Sequence, residues 1–251
     1  MKKLVIANWK MNPINLKGAV KMVEELKRGV AKKSKSEIVI CPPFVYLANL
    51  AKLLKGSKIK LGAQNCSWDK MGPLTGEIAP TMLKDIGAKY VILGHSERME
   101  KLAENNAIVS RKLKTALEVG LNCVVCIGDN ADEHNSGKVF AILEQKFNEI
   151  LADLKGADYA KIILVYEPIW AISTNQDFVE SCSVDEALTV ALFFKKLLIQ
   201  RAGQKSAGMV KILYGGSVNA QNANSYLAEE GIDGVLVGGA SLNIKEFLKI
   251  C

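Results

Sequence analysis

Short apolar runs alternate with longer amphipathic stretches along the whole chain. The apolar runs predict eight β-strands: Leu4–Asn8, Glu37–Cys41, Ile59–Ala63, Tyr90–Leu93, Asn122–Ile127, Ile162–Tyr166, Val210–Tyr214 and Gly234–Val237. Their starts lie about thirty residues apart, which is the length of one strand, one helix and their loops. The pattern therefore predicts eight consecutive βα units.

The stretches between the strands carry apolar residues at the helical spacing of three or four positions. Two examples are the sets Val20, Val23, Leu26, Val30 and Ile108, Leu113, Leu117. Ser183 and Glu186 form a capping-box pattern, which predicts that a long helix begins just after Ser183.

Eight such units without a linker or low-complexity tract predict one α/β domain over residues 1–251, a closed (β/α)₈ barrel. An open doubly wound sheet is the alternative. It is disfavoured because no Gly-x-Gly-x-x-Gly follows the first strand. In a closed barrel, chemistry is expected at the C-terminal ends of the strands.

Composition narrows the choice of partner and compartment. The chain is 49% hydrophobic and 24% charged, as expected of a globular protein. No apolar run is long enough to span a bilayer, and the first one ends at Asn8, too early for a signal peptide. We therefore expect a cytoplasmic protein without a membrane partner. The net charge of +7 favours a small anionic substrate, because no Arg-rich or aromatic-interleaved stretch indicates nucleic acid.

The chain has six cysteines, of which Cys123 and Cys126 have the C-x-x-C spacing. These two lie in a predicted strand, so their side chains point to opposite faces. There is no second C-x-x-C, and the only histidines are His95 and His134. We therefore expect reduced thiols and neither a metal nor a redox role.

Glu167 follows the sixth predicted strand and precedes Pro168. Proline restricts the residue before it to extended backbone and donates no hydrogen bond, so the strand must end here. Ile169 and Trp170 form an apolar loop tip able to close over the carboxylate and exclude water. Such a carboxylate suits a general base, although one glutamate at a loop start is by itself compatible with a solvated side chain.

Two other strand ends carry polar side chains. Alternation after the first strand places Asn8 and Lys10 toward the barrel mouth. From this segment alone, an anion-binding lysine and one that extends to solvent are equally compatible. His95 follows the fourth strand where a short helix can begin, and the positive end of that helix favours a neutral, hydrogen-bond-donating ring. Glu97 and Arg98 are expected to be its partners rather than reactants.

Glycine pairs follow the seventh and eighth strands, in Tyr214-Gly215-Gly216-Ser217 and Gly238-Gly239. Bare backbone N–H groups at these turns can approach an anion closely. Consecutive positions seven and eight match the usual phosphate site of barrel enzymes. The third loop, residues 64–76, is long and apolar, and we expect it to dock into a second subunit.

Together these segments resemble the triosephosphate isomerase family, from Leu4 to the C-terminus. The matching motifs are Ala7-Asn8-Trp9-Lys10-Met11-Asn12, Gly62-Ala63-Gln64-Asn65, Gly94-His95-Ser96-Glu97-Arg98, Cys126-Ile127-Gly128, Tyr166-Glu167-Pro168-Ile169-Trp170-Ala171-Ile172, Tyr214-Gly215-Gly216-Ser217-Val218 and Gly238-Gly239-Ala240-Ser241-Leu242. The resemblance implies a TIM barrel that interconverts dihydroxyacetone phosphate and glyceraldehyde 3-phosphate as a homodimer, without a metal or an organic cofactor. The family also serves as a general example of pKa tuning and loop closure.

The resemblance implies a role for each residue at the strand ends. Glu167 would move the proton, while His95 and Lys10 polarise the substrate oxygens and Asn8 helps to position them. The residues implied to bind phosphate are Ser173, Ser217, Leu236, Gly238 and Gly239. The residues implied to support these groups, or to belong to a lid from Pro168 to about Asn175, are Ser96, Glu97, Cys126, Asp129, Pro168, Ile169, Trp170 and Tyr214. Thr75 would lie in the dimer loop.

The chain also departs from the family pattern. Ser173-Thr174-Asn175 stands where a glycine-containing lid is expected, and Gln176-Asp177-Phe178 is bulkier than the usual second hinge. Met99 replaces an expected arginine, Leu102-Ala103 stands where His-Gly is usual, and Asp129 replaces a glutamate. These departures predict altered lid kinetics, salt bridges or subunit contacts, and an unchanged chemistry.

Two alternatives remain at this point. One is another phosphosugar enzyme, such as an aldolase that uses Lys10 for a Schiff base. The other is an inactive barrel that binds phosphate ligands or a protein partner.

Overall fold

The computed structural model describes residues 2–33, 36–172 and 181–251. Its strands are β1 (Leu4–Asn8), β2 (Glu37–Cys41), β3 (Lys60–Ala63), β4 (Tyr90–Leu93), β5 (Asn122–Ile127), β6 (Ile162–Tyr166), β7 (Lys211–Tyr214) and β8 (Gly234–Val237). Each strand pairs in parallel with the next, and β8 pairs with β1. The prediction of a closed eight-stranded barrel is confirmed.

Two strands begin one residue later than the sequence pattern predicts, at Lys60 and Lys211. In both cases the preceding amide is engaged elsewhere. The N–H of Ile59 donates to Ser57 Oγ at 3.1 Å, and the N–H of Val210 donates to Ala207 O at 3.3 Å. Local turns therefore displace the apolar residues Ile59 and Val210 from the sheet without exposing them.

Helices connect successive strands on the outside of the barrel. They are α1 (Leu16–Lys33), α2 (Phe44–Leu54), α3 (Pro80–Asp85), α4 (Ser96–Lys101), α5 (Asn106–Glu118), α6 (Ala131–Asn135), α7 (Val139–Ile150), α8 (Val184–Met209), α9 (Ala223–Ala228) and α10 (Ile244–Ile250). The predicted start of α8 is confirmed, because Ser183 Oγ accepts the N–H of Glu186 at 3.2 Å. A left-handed Gly203 (φ 76°) divides α8 into two helical segments. Within the described parts of the chain, none of the helices has the length and apolar character needed to cross a membrane.

Alternation along the strands creates two apolar layers. Leu4, Ile6 and their counterparts on the other strands fill the barrel interior, whereas Val5 and Ala7 pack against the helices. Cys126 belongs to the inner layer and Cys123 to the outer one, as predicted from their spacing. This alternation matters for function, because it decides which side chains enter the mouth of the barrel where each strand ends.

Candidate functional site

A cavity of about 370 Å³ opens at the C-terminal ends of the strands. The four predicted catalytic side chains and the four described residues predicted to bind phosphate meet there. Its lining comprises Asn8, Lys10, His95, Glu167, Ile172, Gly215, Gly216, Ser217, Val218, Asn219, Leu236, Gly238, Gly239, Ala240 and Glu246. Residues from β1, β4, β6, β7 and β8 therefore converge on one concave site.

The Glu167 carboxylate lies at the floor of this cavity and is 2% exposed. One oxygen, Oε2, accepts the N–H of Ser96 at 3.0 Å, and the other, Oε1, accepts the Ser96 hydroxyl at 2.9 Å. Its backbone N–H still donates to Ile127 O at 3.0 Å, which extends the β5–β6 ladder to this residue. Pro168, buried like Glu167, ends the strand as predicted.

Gly128 fixes how closely β5 and β6 approach beside Glu167. A Cβ at residue 128 would lie 1.7 Å from Glu167 O, a contact that no side chain can make. Cys126 lies inside the barrel nearby. Burial raises the pKa of its thiol, and the charge and hydrogen bond of Glu167 raise that pKa further.

His95 caps the short helix α4 and contacts Glu167. Its Nδ1 accepts the N–H of Glu97 at 3.3 Å, so this nitrogen carries no proton in the arrangement. Its Nε2 lies 3.1 Å from Glu167 Oε1, a donor distance. The N–H of Glu97 thus occupies Nδ1, which leaves Nε2 as the ring nitrogen able to donate toward Glu167.

Lys10 enters the cavity from the end of β1 in an unusual backbone conformation, with φ at 53°. Its N–H donates to Asn8 Oδ1 at 3.1 Å, and the Gln64 amide donates to Lys10 O and Cys41 O at 2.8 Å each. Trp9 is buried in the outer apolar layer, so the predicted alternation of the three side chains is confirmed. Asn8 and Gln64 hold the lysine backbone from two sides.

The ammonium group of Lys10 is paired with Glu97. Its Nζ donates to Glu97 Oε1 at 2.6 Å. Burial alone would raise the pKa of Glu97, but the hydrogen bond and charge of Lys10 outweigh it, and the pKa is lowered from 4.5. Glu97 is therefore ionised and counterbalances a lysine that would otherwise be costly to place in a cleft.

The two glycine turns form the opposite wall. At Gly216 a Cβ would lie 2.2 Å from Tyr214 Oη, so packing against the tyrosine requires glycine there. The Ser217 N–H donates to Ala171 O at 3.0 Å, which engages one amide that the sequence reasoning assigned to phosphate. Gly238 and Gly239 border the cavity, Gly238 lies beside the Lys10 side chain, and Leu236 contributes an apolar wall.

Asp129 is completely buried behind the loop tip. Its carboxylate accepts the Tyr166 hydroxyl at 3.0 Å and the indole N–H of Trp170 at 3.1 Å. Its backbone oxygen accepts the N–H of Ile169 at 2.9 Å. Although an aspartate is shorter than the glutamate expected here, Asp129 therefore still contacts the chain just beyond Glu167.

Two residues near the site were missed by the sequence reasoning. Glu246 lines the cavity from α10, where its Oε1 accepts the N–H of Ala220 at 3.4 Å. His134 contacts Asp129 from α6, with 3.0 Å between Nδ1 and Oδ2. Neither follows a strand directly, so no strand-end rule points to them.

The departures near α4 have visible consequences. Met99 packs against the apolar core, Leu102 is 59% exposed, and Ala103 has a positive φ of 54°. Arg98 pairs with Glu104 at 2.7 Å, and the buried Lys112 joins the same carboxylate and Asn65. The salt bridge that holds the base of the third loop is therefore present despite Met99.

The third loop exposes Thr75, and Met71 is 83% exposed. Met11 and Ile14, in the loop after β1, are 90% and 91% exposed. These apolar surfaces are available to a partner. Ser173 and the rest of the segment 173–180, to which the lid prediction applies, lie outside the described residues.

Comparisons with known proteins agree along the full length. A sequence model of the family "Triosephosphate isomerase" matches residues 3–251. The triosephosphate isomerase of Thermoanaerobacter pseudethanolicus is 41% identical, covering 100% of this chain and 99% of its own. That of Dictyoglomus thermophilum is 41% identical, with 99% and 98% covered. The crystal structure of triosephosphate isomerase from Bartonella henselae superposes with a TM-score of 0.88 at 34% identity, covering 100% and 98%.

Proposed function

The chain belongs to the triosephosphate isomerase family, and we propose that Glu167, His95, Lys10 and Asn8 perform its reaction. The protein is a glycolytic isomerase that interconverts dihydroxyacetone phosphate and D-glyceraldehyde 3-phosphate. The observation that carries the assignment of roles is the meeting of a buried carboxylate, a neutral imidazole and an ammonium group in one cavity. Nothing in the comparisons supports the aldolase or the inactive barrel.

Glu167 is the base in this proposal. It removes a proton from the carbon next to the substrate carbonyl and returns it to the neighbouring carbon. Both of its oxygens accept hydrogen bonds from Ser96 in the structure. Ser96 therefore fixes the position of the base at the cavity.

His95 and Lys10 stabilise the charge that develops on the substrate oxygens. A neutral imidazole with its proton on Nε2 donates a hydrogen bond to the oxygen on which negative charge develops. The Lys10 ammonium supplies a fixed positive charge whose position is set by Glu97. Asn8 acts through its bond to the Lys10 N–H and as a wall of the cavity.

The phosphate is proposed to bind between the two glycine turns. Gly238 lies next to the Lys10 side chain, and this arrangement joins backbone dipoles to a positive charge. Ser217 contributes its N–H once the bond to Ala171 O opens. Ser173 completes the proposed set from outside the described residues.

A coupled assay tests the function. With dihydroxyacetone phosphate, NAD⁺, inorganic phosphate and a glyceraldehyde 3-phosphate dehydrogenase, the purified protein should support continuous NADH formation without added metal. Reduction with borohydride in the presence of substrate should leave the mass of the chain unchanged. Absence of turnover by folded protein would reject the isomerase, whereas a trapped substrate adduct on Lys10 would indicate an aldolase.

We further propose that one domain spans residues 1–251, that the protein acts in the cytoplasm because glycolysis does, and that it forms a homodimer. The dimer proposal is supported by the exposed apolar side chains Met11 and Ile14 in the loop after β1 and Met71 in the loop that carries Thr75. Burying such side chains against a second copy is favourable, because each removes apolar surface from water.

In sedimentation, the protein should have twice the 27.3 kDa mass of the chain. Thr75→Arg places a charge in the proposed contact and should shift the protein toward the monomer at micromolar concentration. Ala141→Arg adds the same charge on the exposed face of α7 and should leave the dimer intact. A monomeric wild-type protein would overturn the proposal.

A further inference from the structure

His134 connects three elements around the site without a role in the proposed chemistry. From α6, its Nδ1 lies 3.0 Å from Asp129 Oδ2 and its Nε2 lies 3.5 Å from Glu186 Oε1 on α8. Its ring packs against the Trp170 indole with 4.3 Å between centroids. The imidazole thus contacts two carboxylates and one aromatic ring at once.

Asp129 depends on these contacts because it has no access to water. A buried carboxylate is costly unless it is paired and hydrogen-bonded. Tyr166 and Trp170 supply neutral donors, Tyr166 to Oδ1 and Trp170 to Oδ2, and His134 Nδ1 also lies against Oδ2. Among the described side chains found to contact Asp129, His134 is the one able to carry a positive charge.

His134 contacts one residue before the segment 173–180 and one residue after it. Trp170 is three residues beyond Glu167, in the short 3₁₀ turn Ile169–Ala171. Glu186 is in the first turn of α8, after residue 181 where the described chain resumes. His134 therefore joins both flanks to the loop that follows β5.

We propose that His134 is a positioning residue for the isomerase reaction. It holds the Asp129 carboxylate toward Trp170, and it holds α8 toward the loop that follows β5. These contacts fix the position of the chain after Glu167 relative to the cavity. On the same helix, Glu133 pairs with Lys146 of α7 at 2.7 Å. This inference rests on the proposed role of Glu167 as the base.

The test compares two replacements that differ in charge. His134→Phe keeps a flat ring against Trp170 but removes both polar contacts, and we expect kcat to fall by about 10- to 100-fold with KM changed less than about threefold. His134→Arg provides a planar donor that can bridge two carboxylates, so kcat should return to within about fivefold of wild type. Steady-state kinetics and circular dichroism together measure the effect.

Two further variants give the test its controls. Glu186→Gln removes the charge of the weaker contact without touching the buried Asp129. It should lower kcat by about threefold in a folded protein, because this pair is longer and partly exposed. Glu144→Gln, on the exposed face of α7, should leave kcat and KM unchanged.

A purely structural role predicts a different result, in which His134→Phe lowers the melting temperature while kcat stays within about twofold of wild type. That result, or an unchanged kcat in Glu186→Gln when His134→Phe does not fold, would overturn the proposal. Failure of the proposed function would look different, since wild-type protein would then lack isomerase turnover or Glu167→Gln would remain active.

Discussion

Replacing Glu167 by glutamine is expected to lower kcat by about 10²–10⁴-fold, the contribution typical of a positioned general base. Glutamine has nearly the same shape and retains an oxygen that accepts the N–H of Ser96, which now bonds Oε2 at 3.0 Å. It cannot take up a proton from carbon. The loss should therefore fall on kcat, with KM little changed and the circular dichroism spectrum preserved.

The matched control for this variant is Glu230→Gln, which makes the same chemical change at an exposed position. It should retain full turnover. If Glu167→Gln instead kept kcat within tenfold of wild type, another group would have to accept the proton and the proposed mechanism would be wrong.

Replacing Lys10 by methionine is expected to lower kcat/KM by about 10²–10³-fold, the loss typical of removing one donor from a site where negative charge develops. Methionine fills a similar volume without the ammonium group that now pairs with Glu97. Because that charge is proposed to act on both the phosphate and the developing oxygen charge, KM should rise and kcat should fall. Lys17→Met removes the same charge from an exposed position and should leave kcat and KM unchanged.

The Lys10 variant also has a signature in its pH dependence. Lys10 keeps the pKa of Glu97 below 4.5 in the folded protein. A lowered carboxyl pKa contributes stability that is present above the unfolded value and is lost as pH falls through the folded value. The difference in melting temperature between wild type and Lys10→Met should therefore be present at pH 7 and shrink below about pH 4.5. A difference that persists at low pH would show that Lys10 stabilises the fold by packing instead.

The strand-end residues were predictable because they depend on local rules. Alternation in β1 places Asn8 and Lys10 on the inner side, and the pair Glu167-Pro168 ends β6. The capping role of His95 follows from its place between a strand and a helix. In each case the deciding interactions lie within a few residues along the chain.

Other features depend on approaches between distant segments, and no local pattern encodes them. The sequence reasoning treated Gly216 as a residue that admits an anion, whereas the structure shows that it also makes room for Tyr214 Oη. The Ser217 amide meets Ala171 O, 46 positions earlier in the chain, and His134 meets Glu186 of α8. Such contacts become visible only when the barrel is closed.

The backbone conformation of Lys10 lowers the stability of the fold at a residue proposed to act in catalysis. A positive φ of 53° costs an ordinary side chain about 1–2 kcal/mol, and glycine would adopt it freely. The position nevertheless carries a lysine, held by Asn8 and Gln64. Glycine would remove this strain, but it would also remove the ammonium group that pairs with Glu97. The strained backbone at residue 10 is therefore a local cost in stability that accompanies the proposed catalytic charge.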